Sequence, residues 1–183
     1  MEYTRIPEIE LNILKQLKGI KVVFDVGTRT DIDYFEIFPQ AEFHLFEPHP
    51  DFFKELKEKV EKSGKQNVYL NNYGLGNTEG EFAYQDGIQA FEKGEASFTT
   101  ENRRLPIKTL DWYIKENNIK KIDFLKIDTE GYDYNVLLGG IEAIKITRYI
   151  LYEHWNNRWQ FYELLNNEFW MKYIGGRNVL CRR

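Results

Sequence analysis

The chain has 183 residues, 42% apolar and 30% charged, which suits one soluble globular domain with a full-sized core. Its formal net charge of −4 excludes a protein built mainly to coat nucleic acid, which needs a basic face. Aromatic residues reach 16% and are dense in YILYEHWNNRWQFYELLNNEFW, residues 149–170.

The opening MEYTRIPEIE lacks the basic start and apolar run of a signal peptide. No later run approaches the roughly 20 apolar residues of a membrane helix, so no membrane span is expected. Pro7 and Gly19 frame a first helix, with Ile9, Ile13 and Leu17 on its apolar face. VVF (22–24) is an unbroken apolar run, as in a strand covered on both sides. Ile32, Phe35 and Phe38 predict a short helix ended by Pro39. EFHLFE (42–47) reads as a second strand, and Phe53, Leu56 and Val60 as a helix that stops at Ser63-Gly64.

NVYLNN (67–72) is a third predicted strand. EFAYQ then suggests a short strand, DGIQAFEKGEASFTT a loop, and TLDWYIKENN (109–118) a helix. IDFLKID (122–128) is a fourth strand, YDYNVLLGG (132–140) a helix, and RYILYEH (148–154) a fifth strand. A helix through Trp159, Tyr162 and Leu165 follows, then a hairpin turning at Gly175-Gly176. Cys181 is the single cysteine, so no internal disulfide forms, and cytoplasmic residence is the expectation. Strands alternating with helices predict an α/β domain with a mostly parallel sheet, helices on both faces and right-handed crossovers.

Ligands of such sheets sit beyond the carboxyl ends of the strands. That rule selects Asp25 and Gly27, then Glu47, Asn72 and Tyr73, Asp128 and Glu130, and Glu153 and His154. Glu47 stands about 20 residues past Gly27, where a carboxylate can accept the hydroxyls of a ribose; a solvated turn residue is the competing reading. Gly27 is followed by Thr28, Arg29, Thr30 and Asp31, too few glycines for a pyrophosphate loop and with a carboxylate where phosphate would sit. NAD and ATP are therefore disfavoured. S-adenosylmethionine, with adenosine but no phosphate, escapes the objection, and Arg29 could reach its carboxylate.

VFDVGTRT, FHLFEPHPDFFKEL and PIKTLDWYIKENNIKKIDFLKIDTEGYDYNVLLGG together resemble the FkbM family of S-adenosylmethionine-dependent methyltransferases, over residues 20 to 154. The resemblance implies a Rossmann-like class I fold, with a seven-stranded sheet whose last strand is antiparallel. It implies cofactor-binding roles for Asp25, Gly27, Glu47, Asn72, Ser97, Asp128 and Glu130. Residues 1–183 are then one domain: an N-terminal helix (1–19), a cofactor-binding core (20–154), and a C-terminal helix and hairpin (155–183). The family usually reads D-V-G-A-N-x-G where this chain has Arg29 for asparagine and Asp31 for glycine.

The expected chemistry is O-methyl transfer to a sugar, glycan or similar small metabolite. The alternative is a degenerate, non-catalytic module that binds a partner or glycan. His154, whose ordinary pKa lies near neutrality, and Asp128 are the two candidate bases. Asp128 with Glu153 could instead hold a divalent cation. Trp155, Trp159 and Tyr162 have a helical spacing that favours core packing; sugar stacking and a homodimer interface are the other readings.

Overall fold

The computed structural model describes residues 6–84, 103–155 and 158–183. Strands β1 (Val22–Val26), β2 (Glu42–Phe46), β3 (Val68–Asn71), β7 (Ile122–Ile127), β8 (Thr147–Glu153), β9 (Trp170–Gly175) and β10 (Asn178–Arg182) form one sheet in the order β3-β2-β1-β7-β8-β10-β9. The first five are mutually parallel, and β10 lies antiparallel between β8 and β9. This is the expected Rossmann-like class I sheet. A smaller sheet, β4-β6-β5, joins β4 (Gly74–Leu75), β5 (Gly80–Tyr84) and β6 (Arg103–Lys108). β6 is not evident in the sequence, because RRLPIK is charged and interrupted by proline.

Helices cover both faces. One carries α1 (Glu8–Leu14), α2 (Tyr34–Ile37) and α3 (Pro50–Ser63), packed on Val23, Phe43, Phe124 and Leu151. The other carries α4 (Leu110–Glu116), α5 (Asp133–Leu138), α6 (Ile141–Lys145) and α7 (Arg158–Leu165), packed on Phe24, Val26, Ile127 and Tyr152. The central strands are buried on both sides, which explains their continuous apolar runs. Helix ends follow local chemistry. His49 Nδ1 accepts from Asp51 N at 3.2 Å at the start of α3, and Gly64 closes that helix at φ 66°.

Two apolar faces differ from expectation. Ile13 and Leu17 pack against the core as expected, but Ile9 is exposed, and α1 buries Leu14 and Glu10, whose carboxylate accepts from Asn178 Nδ2 at 2.7 Å. On α7 the buried residues are Phe161 and Leu165, while Trp159 and Tyr162 face solvent. The spacing of Trp155, Trp159 and Tyr162 is helical, but that stripe is not the core face. Among the described residues, no helix is long and apolar enough to cross a membrane.

The end of α5 abuts the segment after β4. A Cβ on Gly139 would stand 1.9 Å from the carbonyl oxygen of Gly76. Gly139→Ala should therefore destabilise the fold by about 3 kcal/mol, lowering the thermal unfolding midpoint by roughly 6–12 °C for a chain of this size. Differential scanning calorimetry checks this.

Candidate active site at the strand ends

β1 and β7 are neighbours in a register that places Asp25 opposite Lys126. Their side chains point to the α1 face, and Lys126 Nζ lies 2.9 Å from Asp25 Oδ1 and 3.7 Å from Asp128 Oδ2. It also donates to the Gly27 carbonyl at 3.3 Å. Burial alone would push the Lys126 ammonium down, but Asp25 and Asp128 outweigh it and hold its pKa above the usual value. Burial raises the Asp25 carboxyl, against the pull of Lys126. A cavity of about 140 Å³ opens here, lined by Asp25, Lys126, Asp128, Asp31, Glu10 and Tyr34 among others.

Gly27 has φ 79°, and a Cβ there would stand 2.0 Å from the Asp128 carbonyl oxygen. Only glycine permits this approach of the β1 loop to the end of β7. Thr28 is buried and donates through Oγ1 to the Asp25 carbonyl at 2.8 Å. Glu47 is 4% exposed at the end of β2. Its Oε2 accepts from Arg29 N and its Oε1 from His49 N, both at 2.8 Å. Burial raises its pKa, opposed by those two N–H groups. Asn72 is exposed and donates to the Glu47 carbonyl at 2.9 Å, bracing the end of β3 against that of β2.

Arg29 adopts φ 52°, a left-handed conformation that asparagine or glycine enters with less strain. Its guanidinium lies over the Phe52 ring, 5.0 Å from the centroid, and 3.9 Å from Glu130 Oε1. Glu130 is itself left-handed, at φ 54°. The loops after β1 and β7 are thus joined across the rim. Ser97 lies outside the described residues.

The two candidate bases do not meet. Asp128 and Glu153 belong with Asp25 and Lys126 on the α1 face, whereas His154, like Tyr152, points to the α7 face. His154 is buried and lines a separate cavity of about 460 Å³. A hydrogen bond joins its Nε2 to the Tyr173 hydroxyl. Burial, then Arg158, lowers its pKa. Its ring partner is Tyr173; Trp155 packs instead under the Arg177 guanidinium. Glu153 Oε1 is paired with Arg177 Nε at 2.9 Å, which weakens the reading of Asp128 and Glu153 as a cation site. Among the described residues, no group of three or more His, Cys, Asp or Glu is placed to hold a metal ion. His44 is buried between Tyr113 and Glu42, a structural position.

Neither Lys126 nor Asp133 stands out as a site residue in the sequence. A lysine inside the apolar run IDFLKI is the signal for the first. Asp133 is 1% exposed and accepts from Thr129 N at 3.0 Å, Thr129 Oγ1 at 2.6 Å and Glu153 N at 2.9 Å. It therefore ties the loop after β7 to the end of β8. Burial raises its pKa to about 7, against those hydrogen bonds.

Two outcomes are expected. Lys126→Met leaves a buried carboxylate without its cation and costs about 3–5 kcal/mol. Adding Asp25→Asn recovers part of the loss in a urea-denaturation double-mutant cycle. Folded Asp133 holds its proton up to about pH 7, whereas an unfolded aspartate releases it near 3.9. Stability from the protonated form is therefore present below about pH 4 and lost as pH rises through about 7. Thermal midpoints between pH 4.5 and 8 should show the wild type losing up to about 4 kcal/mol relative to Asp133→Asn, which cannot ionise.

Residues 25–175 match the family model described as the Methyltransferase FkbM domain. The chain is 26% identical over 143 residues to the hexuronic acid methyltransferase AglP of Haloferax volcanii. That alignment covers 77% of this chain and 59% of the relative. An FkbM methyltransferase from Methylobacillus flagellatus KT superposes with a TM-score of 0.66 at 13% identity, over 92% of this chain and 45% of that one. An rRNA methylase from Streptococcus thermophilus superposes with a TM-score of 0.55 at 10% identity, over 98% of this chain and 96% of that one. Those two likenesses concern the fold. The family match spans most of the chain, including the strand ends that carry Asp25, Gly27, Glu47 and Asp128, and the chain belongs to the FkbM methyltransferase family.

Proposed function

We propose that the protein is an S-adenosylmethionine-dependent O-methyltransferase acting on a hydroxyl of a sugar or glycan. The observation that carries this reading is the acidic cavity over the ends of β1 and β7, beside the close-packed Gly27 loop and the buried Glu47 carboxylate. These residues fit the cofactor. Carboxylates around a small cavity suit a ligand that carries ammonium and sulfonium charges. Each Glu47 oxygen accepts one backbone N–H and keeps a lone pair for a ribose hydroxyl. S-adenosylmethionine supplies an electrophilic methyl group on sulfur.

The chain's own part is to hold and align. Asp25, fixed by Lys126, holds the cationic end. Asn72 keeps the Glu47 turn in place. Asp128 has a side chain 50% exposed at the rim and serves as base for the acceptor hydroxyl. The sugar acceptor is supported by the hexuronic acid methyltransferase relative, of which the chain spans 59%.

One observation favours a second reading, a non-catalytic module: Arg29 is held in a left-handed conformation against Phe52 and Glu130, and Asp31 lines the cavity. Isothermal titration calorimetry separates the two. The enzyme reading expects micromolar binding of S-adenosylmethionine and S-adenosylhomocysteine by the natural chain. No binding of either at millimolar ligand by a folded sample overturns it. Binding only after Arg29→Asn with Asp31→Gly assigns the natural chain to the second reading.

A further inference from the structure

The α7 face holds a larger cavity than the strand-end site, and nothing described so far uses it. It has a volume of about 460 Å³, between α7 and the β9–β10 hairpin, within the range of small-molecule sites. Three aromatic residues line it and remain in contact with water: Trp170 is 86% exposed, Tyr162 48% and Tyr173 43%. Trp159, stacked on Tyr162 with centroids 5.3 Å apart, extends that surface. Contiguous exposed aromatic surface is a mark of a binding site, and fold stability does not require these side chains to be large.

The polar groups in the same cavity narrow the ligand. Among the described residues, Arg158 is its only charged lining residue, in a chain whose net charge is −4. Among the described residues, no carboxylate forms an ion pair with Arg158. Its guanidinium is instead set over the Tyr173 ring, 4.6 Å from the centroid, and so is oriented before any ligand arrives. Tyr173 in turn is held through its hydroxyl by the buried His154. Asn166 adds an amide, which can both donate and accept. A pyranose ring presents an apolar C–H face to an aromatic plane and hydroxyls at its edge, and a ring carboxylate pairs with guanidinium through two parallel hydrogen bonds.

We infer that the cleft between α7 and the β9–β10 hairpin binds a carboxylated pyranose ring of a glycan, with Trp170 and Tyr162 as stacking surfaces and Arg158 as the carboxylate's partner. The inference rests on the reading of the acceptor as a sugar, and it adds a place where that glycan is held on the opposite sheet face from Asp25 and Lys126. His154 is then a positioning residue: it fixes Tyr173, which orients Arg158.

The test is run without cofactor, so that its outcome is independent of methyl transfer. Trimers of galacturonate, mannuronate and guluronate, with maltotriose and cellotriose as neutral controls, are titrated into the full chain. Binding is followed by tryptophan fluorescence and calorimetry. At least one uronate trimer should bind, at least tenfold more tightly than either neutral trimer. Arg158→Ala and Trp170→Ala should each weaken it tenfold or more, with unchanged unfolding midpoints as the control for folding. His154→Ala should weaken it less, and His154→Gln, which restores a partner for Tyr173, should recover part of the loss. Three results overturn the inference: no uronate trimer bound at millimolar concentration; binding unaffected by both Arg158→Ala and Trp170→Ala; or a dimer in sedimentation that Trp170→Ala dissociates, which makes the cleft a subunit interface. Uronate binding with no cofactor binding would leave the cleft intact and remove the methyltransferase reading.

Discussion

The buried pair of Asp25 and Lys126 is the constraint from which the strand-end site follows. Two charges inside a sheet carry a large desolvation cost, which is offset only when the partners are held at close range. The parallel register of β1 and β7 supplies that range directly, because paired residues point to the same face. Lys126 also reaches the Gly27 carbonyl, so the loop after β1 is fixed to the strand beside it. Asp128 N also donates to the Val26 carbonyl at 3.0 Å, which holds the two strand ends together where Gly27 leaves room for the Asp128 carbonyl. An apolar pair would fill the same position at lower desolvation cost. The charged pair instead leaves acidic groups directed at the rim.

The sheet divides the molecule's chemistry as well as its helices. On the α1 face the strand ends present carboxylates around one embedded ammonium. On the α7 face they present aromatic rings around one guanidinium. The alternation of side chains along a strand produces both from adjacent residues. Glu153 belongs to the first face and turns to Arg177; His154 belongs to the second and turns to Tyr173. Asp133 ties the loop after β7 to the backbone at Glu153, and so fixes the strand end from which the two residues diverge.

The main sheet was legible because its central strands are buried twice over. VVFDV, EFHLF and IDFLKI announce themselves by composition, and their ends locate Asp25, Gly27 and Glu47. β4 and β6 were not legible: one has two residues, and the other carries a proline and three basic residues. α6 follows α5 so closely that two helices read as one ending. The aromatic spacing on α7 was visible, but which side of that helix meets the sheet depends on where the preceding turn releases it. The separation of Asp128 from His154 depends on cross-strand register, a relation between distant segments. Lys126 is marked only as a lysine within an apolar run, and that run does not say that its partner is a carboxylate on the neighbouring strand.

The placement of β10 has a consequence for how the fold assembles. β8 and β9 run in the same direction and are separated by β10, which pairs with both. A ribosome produces β10 after every other strand of this sheet. Until then one edge of β8 has no hydrogen-bonding neighbour and β9 has no place in the sheet, while β1, β2, β3 and β7 can already pair. An exposed strand edge is a template for aggregation. The growing chain therefore keeps an open edge on β8 until the last strand of the sheet is made, at the side where Trp170 and Tyr173 come to rest.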